Sequence, residues 1–326
     1  MPISAPPAQV LHFLRDYSTY WLFSHLEPDG DCLTSSAALG RMLESSGKTV
    51  RHFNPGPFIR VEIQSYREQF MTQPPQQIDP AAAAVVLDCS TSQRIEPFDQ
   101  VVAQMPCLVI DHHSNGDPFG DLRYIEATAA STTLLIHMIM EAAGHTLNAD
   151  EARLLLFGLC TDTGFFRHVG PGQGNALAAA GRMVDAGAPL REVYNRMFGG
   201  KSLQSRRLLA ELITRAQELN DGRCLLTYET LDDAAYYGKH NRDSDLLYQL
   251  LMGTERCRVV ALVRAETTES CSVSFRSQDG TDVGSLAKEL GGGGHRAAAG
   301  CQISVPLDEA IGTITDLLEN IEFTSD

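Results

Sequence analysis

The chain has 326 residues, 43% of them hydrophobic and 21% charged, a balance that fits two globular domains and excludes wholesale disorder. Lys plus Arg number 26 against 41 Asp plus Glu, a formal charge of −15, which is the wrong sign for gripping long nucleic acid through its phosphates. The longest apolar runs, Ala81 to Leu87 and Leu154 to Cys160, fall far short of the ~20 residues that cross a bilayer, so no membrane span is expected.

The opening M-P-I-S-A-P-P-A-Q has neither the basic nor the apolar stretch of a secretory leader. The eight Cys include no C-x-x-C pair, which argues against a zinc ribbon or a disulfide scaffold. Reduced thiols in the cytoplasm are the expectation.

Apolar residues at helical spacing from Val10 to Tyr17 predict a helix, and Tyr20-Trp21-Leu22-Phe23 a strand that ends at His25. A helix from about Thr34 to Ser46 is closed by Gly47, and Thr49 to Phe53 reads as the next strand. Beyond the Pro74-Pro75 loop, Ala84 to Leu87 and Cys107 to Ile110 are two more short strands separated by a helical stretch. Helices follow over Ser131 to Ala143, from the Asn148 cap to about Cys160, and over Gly174 to Ala186. Strands alternating with helices predict an α/β fold with a doubly wound parallel sheet.

Ser202 to Leu219 reads as one amphipathic helix that connects the halves, followed by strands at Cys224 to Tyr228, Val259 to Val263 and Ser272 to Phe275. Residues 1–197 are therefore expected to form a catalytic domain, 198–220 a helical linker, and 221–326 a smaller mixed α/β C-terminal domain, with a cleft between the domains.

The chemistry concentrates at strand ends, where the ligand crevice of an open α/β sheet lies. The loop H-L-E-P-D-G-D brings His25, Asp29 and Asp31 out of the first strand, and Asp88 and Asp111-His112-His113 end two others. Asp162 stands at a helix end in T-D-T-G. So many carboxylates in one pocket cannot all stay ionised without cations, and mixed N and O donors suit divalent ions. Cys32, Cys89 and Cys160, close to these positions, are read as small buried fillers, and Arg167 as either a substrate contact or a surface residue.

The ordered set His25, Asp29, Asp31, Asp88, Asp111-His112-His113 and Asp162 resembles the DHH phosphoesterase family. The run G-G-G-G-H-R-A-A-A-G from Gly291 to Gly300, with S-F-R-S around Arg276, resembles that family's DHH-associated C-terminal domain. The size of the chain is similar to the short branch that degrades nanoRNA and 3′,5′-bisphosphonucleotides. The resemblance implies His25, Asp29 and Asp88 as ligands of one metal, and Asp31, Asp88, His112 and Asp162 as ligands of a second, with Asp88 bridging. It implies Mn²⁺, with Mg²⁺ or Co²⁺ as alternatives. It also implies His113 as the residue facing the substrate phosphate and Asp111 as the group orienting the histidines.

Arg276, His295 and the glycines Gly292, Gly293 and Gly294 are the expected substrate-binding residues. Consecutive glycines let backbone N–H groups close on an anion, and Arg296 to Ala299 reads as a helix start behind them. The expected activity is hydrolysis of short oligonucleotides, and of 3′-phosphoadenosine 5′-phosphate, to mononucleotides. Cyclic di-AMP or its linear product pApA is the alternative substrate, and a non-catalytic nucleotide- or RNA-binding module the alternative class. Short RNAs or small nucleotides are the expected partners, with no long nucleic acid and no membrane. The oligomeric state is open, a homodimer being one arrangement.

Overall fold

The computed structural model describes residues 3–323, and the chain divides between Gly199 and Gly200 into two units. In the first unit, helix α1 (Ala8–Asp16) leads into strand β1 (Thr19–Ser24), and α2 (Gly30–Ser45) into β2 (Thr49–Phe53). A 3₁₀ stretch at Val61–Gln69 precedes β3 (Ala82–Leu87). A 3₁₀ turn at Ser92–Ile95, α3 (Asp99–Val102), β4 (Cys107–Asp111) and β5 (Leu122–Ile125) follow. Helices α4 (Thr132–Ala142), α5 (Ala149–Asp162), α6 (Gly174–Asp185) and α7 (Leu190–Phe198) complete the unit.

All five strands are parallel, in the order β2-β1-β3-β4-β5. Every residue of β1, β3 and β4 is buried, as a parallel sheet covered on both faces requires. Alternate side chains go to opposite layers. Leu22, Val85 and Ile110 pack among Leu39, Leu135 and Leu155 of the long helices, while Trp21, Phe23 and Val109 meet Ile95, Phe98 and Val102. Each such side chain contributes about 1.5–3 kcal/mol by leaving water. The strand order reverses between β1 and β3, which opens a crevice at the carboxyl ends of these strands.

Helix α2 starts at Gly30 rather than near Thr34. Asp29 caps it, its carboxylate accepting a hydrogen bond from the Cys32 amide at 3.0 Å, and Asp31 falls in the first turn. Helix α4 is capped by Ser131, and α5 by Asn148 in a reciprocal box with Glu151; each cap is worth about 1 kcal/mol. Strand β5 and helix α7 have no clear signal in the sequence. The first is four residues long and mostly not buried, and the second buries only Val193 fully.

The second unit comprises α8 (Leu203–Thr214), β6 (Gln217–Leu219), β7 (Cys224–Glu229), α9 (Leu231–Tyr237), α10 (Ser244–Met252), β8 (Val259–Thr267), β9 (Ser270–Ser277), α11 (Val283–Glu289), β10 (Gly293–His295), β11 (Ala298–Ile303) and α12 (Leu307–Glu319). Its strands form a mixed sheet in the order β10-β11-β9-β8-β7-β6, antiparallel except for the pair β7 and β8. Val273 and Phe275 pack against Val283, Ile314 and Leu318 of α11 and α12 on one face. On the other, Val260 and Leu262 pack against Leu208 and Leu212 of α8 and Leu247 and Leu251 of α10.

Two segments differ from the sequence reading. The helix read from Ser202 to Leu219 ends at Thr214, and Gln217–Leu219 pair with β7 as an edge strand. That helix places Leu208, Leu209 and Leu212 in the core of the second unit, because its apolar face needs a partner. Arg296 to Ala299 do not start a helix. β10 and β11 form a tight hairpin in which His295 pairs with Ala298 and Gly294 with Ala299. Gly294 has φ +146°, and a Cβ there would fall 2.5 Å from Ala299 Cα, so the close strand pairing itself demands glycine. Among the described residues no helix is long and apolar enough to cross a membrane.

Candidate active site

The carboxyl ends of β1, β3 and β4 deliver His25, Asp88 and the 111–113 tripeptide to one side of the first sheet, at the β1/β3 switch point. Helix α5 brings Asp162 to the same place by its last residue. The approach of α5 depends on Gly158, where a Cβ would stand 2.4 Å from side-chain atoms of both Thr133 and Thr34. Asp88 leaves its strand with φ +58°, a left-handed conformation that Asp tolerates better than most residues and that marks a backbone bent for a purpose.

His25 Nε2 lies 3.4 Å from Asp88 Oδ2. His112 Nε2 lies 3.6 Å from Asp88 Oδ1 and 3.3 Å from Asp162 Oδ2. The other nitrogen of His112 faces the Ala129 carbonyl at 3.3 Å. A proton there leaves Nε2 bare, buried and without a hydrogen-bond partner, facing two carboxylates. A lone pair directed at two anions is an arrangement that a cation completes.

Asp31 is fully buried and seated on the N-terminus of α4. Its oxygens accept from the Thr132 amide at 2.7 Å, the Thr133 amide at 2.8 Å and the Thr133 hydroxyl. The Thr132 hydroxyl donates to Asp88 Oδ1 at 2.9 Å. Asp111, also fully buried, accepts from the His113 amide at 3.1 Å and faces His113 Nδ1 at 2.7 Å. It therefore orients His113 alone, while the Ala129 carbonyl orients His112. The His113 side chain is 48% exposed.

The charges in this pocket oppose one another. Burial, then the charges of Asp31, Asp29, Asp162 and Asp111, push the Asp88 carboxyl well above its ordinary range. Burial, then Asp31, Asp29 and Asp111, lift Asp162 to about 8. Asp31 is raised by burial, against the pull of His112 and its Thr133 bonds. Asp111 goes the other way, because hydrogen bonds from His113 and Ser90 outweigh its burial and hold it low. The bond to Asp111 in turn raises His113. Like charges thus hold protons that divalent cations can displace.

Three sets of side chains offer ligand atoms within 4.8 Å of one another: Asp88, Asp111, His112 and His113; His25, Cys32 and Asp88; and Asp31, His112 and Asp162. Asp88 belongs to two of them. The structure thus brings together His25, Asp31, Asp88, Asp111, His112, His113 and Asp162. Asp29 is outside these sets, one of its oxygens serving as the α2 cap. Carboxylate and imidazole donors of this kind fit Mn²⁺ or Mg²⁺.

In the second unit, pairing sets His295 opposite Ala298, and Ala298 opposite Arg276, so all three share one face of the sheet. Gly293, Gly300 and Ser274 form the next row, and these small side chains leave that part of the face low. The Arg276 guanidinium lies 4.8 Å from the centre of the Tyr248 ring. His295 is exposed and Arg276 half-buried.

Sequence reasoning assigns no function to Thr132, Thr133 or Arg94. The run Ser131-Thr132-Thr133 at a helix start was the available sign of the first two. Arg94, whose Nη2 lies 3.1 Å from His25 Nδ1, stands in a short 3₁₀ turn without periodicity. All eight cysteines are free and buried, including Cys32, Cys89 and Cys160, and Arg167 is exposed.

Comparison with known proteins agrees with this architecture. The N-terminal domain model of the DHH family matches residues 20–159, and the DHHA1 domain model matches residues 227–321. The bifunctional oligoribonuclease and PAP phosphatase NrnA of Thermus thermophilus is 29% identical over 295 residues, covering 89% of this chain and 86% of that protein. The protein of the same name from Bacillus subtilis is 25% identical over 322 residues, covering 95% and 96%. A crystal structure of an exopolyphosphatase-related protein from Bacteroides fragilis superposes with a TM-score of 0.80 at 22% identity, covering 98% of both chains. The chain belongs to the DHH family. Within it, the chain is a phosphoester hydrolase.

Proposed function

We propose that this protein hydrolyses short oligoribonucleotides and 3′-phosphoadenosine 5′-phosphate, using two divalent ions of which Mn²⁺ is the first choice. The observation that carries the reading is the bare Nε2 of His112, buried between Asp88 and Asp162. The names of the two NrnA relatives, each matched along most of its length, support the substrate class.

In this reading His25, Asp29 and Asp88 hold one ion, and Asp31, Asp88, His112 and Asp162 the other. When bound, such a pair acidifies a water and clamps the attacking and leaving oxygens of a phosphoryl transfer. The residues of the chain do the rest. Thr132 and Thr133 fix the carboxylates of Asp88 and Asp31. Asp111 orients His113 and favours its protonated form, in which Nε2 donates to a phosphate oxygen. On the second unit, Arg276, His295 and Gly292 to Gly294 hold the part of the substrate that is not cleaved. The low row of Gly293, Gly300 and Ser274 leaves room for a base or ribose. The buried free thiols suit a reducing compartment such as the cytoplasm.

The test is one panel in Mn²⁺: RNAs of two to about ten nucleotides, 3′-phosphoadenosine 5′-phosphate, cyclic di-AMP, pApA and pyrophosphate. Turnover is expected to be fastest on the shortest RNAs and to fall steeply with length, as a site of bounded size implies. A rate level with length, or a preference for cyclic di-AMP or pyrophosphate, contradicts the assignment.

A further inference from the structure

Arg94 is carried on the 3₁₀ turn that follows β3, and its carbonyl accepts a hydrogen bond from the Leu26 amide at 2.7 Å. That bond ties the turn to the loop after β1 and delivers the guanidinium to the mouth of the acidic pocket. Nη2 lies 3.1 Å from His25 Nδ1, and the charge of Arg94 is among those acting on His113 and Cys89.

The contact with His25 is not an end in itself. His25 Nδ1 also stands 2.8 Å from the Leu26 carbonyl, and one ring nitrogen cannot both donate to that carbonyl and accept from Arg94. With Nε2 directed at Asp88 and free to serve as a ligand, Nδ1 carries the proton and gives it to Leu26. The guanidinium then has no acceptor on the ring. Among the described residues no carboxylate pairs with Arg94, although several crowd the neighbouring pocket, and the side chain is exposed. A guanidinium cannot ligate a metal, but its planar fork matches two oxygens of a phosphate.

We infer that Arg94 is a catalytic residue that binds the non-bridging oxygens of the scissile phosphate and stabilises the charge they gain in the transition state. The inference rests on the phosphoesterase reading above and adds a residue to it that the motif positions do not include.

The experiment compares the Mn²⁺-loaded parent with Arg94→Ala and Arg94→Lys. Both variants should keep the parent's metal content. Arg94→Ala should lose about 100-fold in kcat/KM on a 5′-phosphorylated dinucleotide, and added guanidinium chloride at non-denaturing concentration should restore part of it. Arg94→Lys should stay well below the parent, because an ammonium lacks the fork. Binding of inorganic phosphate to the metal-loaded protein should weaken about tenfold in Arg94→Ala. Phosphate binding separates the two readings. A parent inactive on the whole substrate panel, whose phosphate binding still depends on Arg94, overturns the function and leaves Arg94 standing. Activity and phosphate binding of Arg94→Ala within threefold of the parent overturn the inference, as does loss of metal, which would make Arg94 a support for His25.

Discussion

Nε2 of His112 stands 3.3 Å from Oδ2 of Asp162, with no hydrogen bond of its own and its ring turned by the Ala129 carbonyl. The pair makes sense as two ligands of one cation. His112→Ala should therefore lower metal content by one ion per chain and cut turnover by about 100-fold or more. Metal analysis of the purified variant checks this, and an unchanged metal content contradicts it.

Asp162 is lifted to about 8, by burial and then by neighbouring carboxylates. A carboxyl whose folded pKa exceeds its unfolded value, near 3.9, stabilises the fold fully below the unfolded value and loses that contribution as pH rises through the folded one. The metal-stripped protein should accordingly lose thermal stability between about pH 4 and pH 8. A fall of about 5 °C is the expected scale. Mn²⁺ should abolish most of the slope, whereas Asp162→Asn in the stripped protein should remove only the share due to Asp162 and leave that of Asp88, which is also raised. A Tm that rises over this window sinks the charge-crowding account.

The seat of Asp31 predicts a different signature. Thr133→Val removes a hydroxyl that donates to a fully buried carboxylate, with a cost of about 1–3 kcal/mol. Metal affinity should fall about tenfold as the carboxylate loses its orientation. Calorimetric metal titration of the variant measures this; unchanged affinity shows that the backbone amides of Thr132 and Thr133 suffice.

The second unit should act on substrate and not on metal. Arg276→Ala and His295→Ala should each raise KM for a dinucleotide about tenfold or more, with kcat less affected and Mn²⁺ content unchanged. An unchanged KM removes the shelf around these residues from the binding site.

The strand-end acids were legible because each is a local pattern. A short apolar run buried on both faces ends in an acid at Asp88 and Asp111, and the family motif carries the rest. Hidden from the sequence were partnerships across long separations. Thr132 and Thr133 meet Asp31 from 101 and 102 residues away, and nothing in a Ser-Thr-Thr helix start says which carboxylate it will seat. The capping role of Asp29 moved the start of α2 to Gly30. The glycine run misled on one point: the segment after it, read as a helix start, is a strand, and the glycines allow the tight pairing of Gly294 with Ala299.

The most direct test of a two-ion phosphoesterase is a titration of chelator-stripped protein with Mn²⁺, read as the initial rate on a 5′-phosphorylated RNA dinucleotide. The rate should be negligible without metal and reach its plateau at two ions per chain. A plateau at one ion per chain, or turnover that does not depend on added metal, contradicts the account.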